Sequence, residues 1–209
     1  ATALGTLGRF VAPQLFARGF LYTMAGFEVF VGEILLASAA IIIIGLIQIR
    51  GVATAGSLQV GLTALLIVTV LMIGLGTTVS DVTSTANLQP YFAPERGPLA
   101  GVVGILAIAP WLYVGFDTLP QTAEEFDFSP AQGLRLMSLA IGCGALMYSV
   151  VILATASVVP WPSLVSAEPL WPTGVTVRES LGQGGLVCLV LAVVAAVFTG
   201  INGFFMASS

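Results

Sequence analysis

Five apolar runs separated by polar stretches set the pattern of this chain: 33–49, 58–76, 98–126, 134–159 and 185–206. A helix needs roughly 17 to 25 residues to cross the ~30 Å of bilayer hydrocarbon, and each run reaches that range or exceeds it. The isoleucine block 41–44 would suit a strand in water. In lipid a helix satisfies its own backbone, so the block reads as helix. Arg50-Gly51 makes the turn between the first two runs. The connector 77–97 holds Asp81, Asn87, Pro90, Pro94, Glu95 and Arg96, and a short loop with Ser129-Pro130 precedes the fourth run. A second long connector, 160–184, carries Trp161 and Trp171, residues suited to a membrane interface. The opening stretch 1–32 mixes Arg9, Arg18 and Pro13 with Phe20, Tyr22, Phe27 and Phe30. It reads as an interfacial segment at headgroup depth, with Glu28 and Glu33 at the same level.

The third run departs from the rest. Between Pro110 and Glu125 it contains Trp111, Gly115, Asp117 and Pro120, none of which a helix that merely crosses lipid requires. Pro110 has no amide donor, Gly115 lowers helix propensity, and Pro120 frees the carbonyl of Phe116. An unsatisfied backbone group in hydrocarbon costs several kcal/mol, so such a break persists only against protein or a wet cavity. The pattern predicts a discontinuous helix, broken near 114–117, with a second short helix starting at Thr118 or Leu119.

Composition fixes the solvent. Of the 209 residues 57% are hydrophobic and 8% charged, and the mean hydropathy is +1.06, values of an integral membrane protein. The formal net charge of −4 therefore says little about partners, and with no basic cluster nucleic-acid binding has no support. All the basic residues are arginines, and histidine is absent. That removes Ser-His and Cys-His pairs and most zinc or haem ligation, so no metal, cofactor or catalytic site is expected. Cys143 and Cys188 lie in apolar runs and read as small buried or lipid-facing residues. Residue 1 is not methionine, and 204–209 stops as a helix is leaving the membrane. The chain reads as an internal piece of a longer protein.

Three stretches carry a resemblance. Gly115-Phe116-Asp117-Thr118-Leu119-Pro120-Gln121, with Ala123-Glu124-Glu125-Phe126 and Ser129-Pro130, resembles the sixth-helix signature of amino-acid permeases of the amino acid–polyamine–organocation transporter superfamily. Ile49-Arg50-Gly51-Val52 with Ala55-Gly56 and Gln59 resembles the family's link between helices four and five. Gly200-Ile201-Asn202-Gly203 and Ala207-Ser208-Ser209 resemble its eighth helix, which usually continues into an arginine that this chain lacks. The matches are collinear and run from about Arg9 onward.

The resemblance implies an all-α polytopic membrane protein, part of a five-plus-five inverted-repeat transporter fold with a discontinuous sixth helix. The chain would hold about helices four to eight, in the plasma or an inner membrane. Its partners would be an amino acid or amine, the bilayer and the rest of the transporter. The arginine count and the family topology assign the loops to opposite sides; the resemblance puts Arg50 and Glu124-Glu125 in the cytoplasm.

Each candidate residue has two readings. Asp117 either caps the second half-helix or takes up a proton in the transport path. Trp111 is either a packing aromatic or, by its position four residues before Gly115, the family's gating aromatic. Leu112 and Val114 would offer carbonyls to a substrate ammonium, as the resemblance also implies, while Gly115 and Phe116 shape an uncharged pocket. Asn202 serves either as interhelical glue or in the site, and Phe204 or Phe205 would line it opposite the break. No lysine is present, so coupling by a helix-five lysine ammonium is excluded within these residues. A carboxylate route through Asp117, a sodium site at Ser208 or Ser209, or exchange without an ion remain. A secondary transporter working by alternating access competes with a non-transporting or channel-like bundle and with an intramembrane enzyme. The last is disfavoured, because histidine, a metal-ligand cluster and a Ser-Lys dyad are all lacking.

Overall fold

The computed structural model describes residues 2–24, 26–113 and 129–208. Helices dominate: α1 (Thr2–Val11), α2 (Pro13–Phe16), α3 (Val31–Gln48), α4 (Val52–Thr78), α5 (Gly97–Leu112), α6 (Pro130–Val158), α7 (Trp161–Ser166) and α8 (Pro172–Ser208). An antiparallel hairpin, β1 (Phe20–Met24) and β2 (Phe27–Phe30), lies between α2 and α3, and a 3-10 turn covers Thr85–Leu88. Among the described residues, four helices, α3, α4, α6 and α8, are long and apolar enough to cross a membrane, and α5 is a shorter apolar helix.

Local chemistry explains the boundaries. Gly51 separates α3 from α4 at φ 103°, a conformation that side chains rarely adopt, which is why Arg50-Gly51 turns the chain there. Ser129 accepts a bond from the Gln132 amide while Gln132 Oε1 accepts from Ser129, and Pro130 follows at the first helical position, so α6 starts with a capping box. At its other end Asn87 donates to the carbonyls of Ser157 and Val158, closing α6 with a side chain from the connector.

Two differences from the sequence pattern stand out. Helix α8 begins at Pro172, well before residue 185, and bends at Gly182, whose φ of 62° and ψ of −148° are not helical. The polar first section is held against the bundle by packing, which hydropathy does not register. Trp171 sits edge-on to Phe10, with centroids 5.2 Å apart, and packs, partly buried, against the core. The opening stretch is likewise packed. Leu4 and Leu7 of α1 are buried with Ala40 of α3 against Val193, Val197 and Ile201 of α8. Arg9 lies 3.4 Å from Glu33 and over the ring of Phe30, and it donates to the Glu28 carbonyl, so Glu33 is paired within the protein. Glu33 also accepts from the Phe30 amide at the start of α3.

The core sits between α4 and α8. Ile73, Val177 and Leu189 are buried there with Thr77 and Thr176, whose hydroxyls donate to carbonyls one turn back in their own helices. Gly76 lets Leu181 approach closely, and a Cβ at Gly74 would collide with Val150 of α6. Lipid tails are as apolar as leucine, so contact at small residues holds these helices together rather than water exclusion.

Candidate functional site

Helix α5 ends at Leu112. Pro110 lies inside the helix, Tyr113 leaves it at φ −114° and ψ 16°, and the Tyr113 amide donates to the Pro110 carbonyl at 3.2 Å, a tightened last turn. The Leu112 carbonyl accepts a hydrogen bond from the Tyr148 hydroxyl of α6 at 2.6 Å. The rings of Tyr113 and Tyr148 meet edge to face with centroids 5.9 Å apart. In hydrocarbon an unpaired phenol hydroxyl and an unpaired carbonyl are each costly, and here each satisfies the other. A carbonyl oxygen has two lone pairs, so a second donor can still approach Leu112.

Trp111 is 80% exposed and Leu112 43%, so among the described residues these two side chains are largely uncovered. Val114, Gly115, Phe116 and Asp117, with the expected second half-helix, lie outside the described residues. Tyr148 did not emerge from sequence reasoning. Its signal was present, a hydroxyl-bearing aromatic within an apolar run, but only the fold supplies the partner.

The other candidates belong to α8. Asn202 is fully buried and bonds to Gln48, Ala55 and Gln59, so it faces the α3–α4 turn. Phe204 is 52% exposed, and Phe205 packs towards Gly45 of α3. Among the described residues no hydrogen bond or ring contact joins Trp111 or Leu112 to Asn202 or Phe204. The structure therefore presents two groups, one where α5 meets α6 and one where α8 meets α3 and α4.

Long apolar helices, a helix end with a tyrosine-held carbonyl and a buried amide cluster define an integral, multi-pass helical membrane protein. A family model described as amino acid permease matches residues 6–209, and the chain belongs to that family. Neither a curated protein nor a solved structure matches it. Membership points to a transporter of amino acids rather than to an enzyme.

Proposed function

We propose that the chain is the substrate-binding part of a secondary transporter that moves amino acids or related amines by alternating access. The family match over 6–209 carries this reading. In this reading the substrate ammonium docks on carbonyls at and beyond Leu112, around Val114, Gly115 and Phe116. Exposed Trp111 closes over it, and Phe204 approaches from α8. The carbonyl held by Tyr148 supports this role, because its direction is fixed before any ligand arrives. The inverted repeat of the family would supply a second broken helix opposite the first.

Asp117 is the coupling group in this proposal. Protonating a carboxylate at the break changes local charge and half-helix capping together, which links a proton to the binding geometry. The test is uptake of tritiated L-amino acids into liposomes holding the full-length permease, with and without an inward proton gradient. Accumulation of at least one of them is expected. Failure across the whole panel, in protein shown to be folded, overturns the reading.

A further inference from the structure

Asn202 joins three membrane helices through one side chain. Its Nδ2 donates to Gln59 Oε1 at 2.8 Å and to the Ala55 carbonyl at 3.0 Å, with Met206 Sδ at 3.6 Å. Its Oδ1 accepts from Gln48 Nε2 at 2.8 Å, and that nitrogen also reaches the Asn202 backbone carbonyl at 3.2 Å. Gln48 closes α3, while Ala55 and Gln59 lie in the first turns of α4. Both amide hydrogens and one acceptor lone pair are therefore spent inside the bundle. A group so engaged has little left for a ligand.

We infer that Asn202 is a positioning residue for transport: its amide clasps the α3–α4 turn against α8 and fixes the rotation of α8 about its own axis. Residues two apart on a helix point about 200° away from each other. With Asn202 locked towards α3 and α4, Phe204 is turned to the opposite face, where it is half-exposed. The clasp thus sets which way Phe204 points, a role that rests on the transport reading above. The groups touching the clasp are Gln48, Gln59, the Ala55 carbonyl and Met206, all neutral. The nearest charged side chain along the chain from Gln48 is Arg50, which is exposed.

The test uses the full-length permease in liposomes and in detergent, with tritiated L-amino acids as probes. Asn202→Asp keeps the shape but, when ionised, sets a carboxylate against the Ala55 carbonyl. When protonated it can donate there again. Relative to wild type at each pH, uptake by Asn202→Asp should fall roughly tenfold from pH 6 to pH 8, and its melting temperature should fall over the same interval. An Asn202 that contacted the substrate ammonium would give the opposite sign, because an ionised aspartate attracts a cation. Uptake that rises with pH, or a melting temperature that follows wild type throughout, overturns the clasp.

Gln59→Ala, a milder change, supplies a second route should Asn202→Asp fold poorly. The double variant Asn202→Ala/Gln59→Ala should melt no lower than Asn202→Ala alone, whereas additive losses count against the clasp. The melting measurements need no substrate. Absent uptake by wild type would thus sink the transport reading while leaving the clasp to be judged separately.

Discussion

Helices α4 and α8 on one side, and α5 and α6 on the other, are comparably apolar yet packed very differently. Along α4, Ala55, Thr69, Val70, Ile73 and Thr77 are buried; along α8, the buried residues include Val177, Gly185, Leu189, Ala192, Ala195 and Asn202. Helix α5 buries none of its residues, and α6 buries only Ala154 and Val158 near its end. The first pair meets at Ile73, Val177 and Leu189, and beyond them the Asn202 amide ties α8 to the start of α4. The second is joined at Tyr148, through one hydrogen bond and one ring contact. Apolar character alone does not make helices associate in lipid; close-fitting small residues and buried polar partners do. The candidate site lies on the loosely held pair, where elements that must move are expected to lie.

The comparison can be broken most severely by testing these 209 residues alone. If the bare faces of α5 and α6 need the rest of a transporter, the isolated segment in liposomes should show no gradient-driven uptake above protein-free vesicles. Substrate-specific accumulation would mean that the exposed pair is already complete.

Asp117→Asn in the full-length permease sharpens the same contrast at the site itself. A neutral amide cannot carry the proton, so concentrative uptake driven by a pH gradient should collapse to equilibration, while substrate binding persists. The wild type should lose uptake as the outside pH rises and the carboxylate stays ionised; the variant should be flat. Unchanged proton-driven accumulation would reduce Asp117 to a helix cap.

Substituting glycines on the two sides should give unequal losses. Gly76→Leu drives a side chain against Leu181 of α8 and should lower stability by about 1–3 kcal/mol, read from melting in detergent. Gly104→Leu on α5 meets open space and should stay within about 0.5 kcal/mol of wild type. Equal losses would show that α5 is as tightly packed as α4.

The smallest effect is expected at Tyr148→Phe. Removing the hydroxyl loses one hydrogen bond worth about 1 kcal/mol and loosens the Leu112 carbonyl, so KM for uptake should rise roughly fivefold and the melting temperature should fall by about 2–4 °C. A KM equal to that of wild type would separate Tyr148 from the site.

Much of this was legible in the residues themselves. Low charge and long apolar runs point to spanning helices whatever their neighbours, because a single segment in hydrocarbon can satisfy its backbone polar groups by itself only as a helix. The motifs around Gly115, Arg50 and Asn202 carried the family. Gly115, Asp117 and Pro120 placed a break near 114–117, which lies outside the described residues; α5 ends before it, at Leu112. Gly51 marked its turn because few other residues accept that backbone. Partners were not legible. Nothing local to Tyr148 says that its hydroxyl meets a carbonyl 36 residues away, nor that Asn202 meets Gln48 across 154. Nor does anything local to Trp171 say that its ring meets Phe10 edge-on. Backbone satisfaction and solvent preference are local properties that each stretch of sequence fixes by itself. Which side chains complete one another depends on how whole helices rotate and cross, and only the assembled fold decides that.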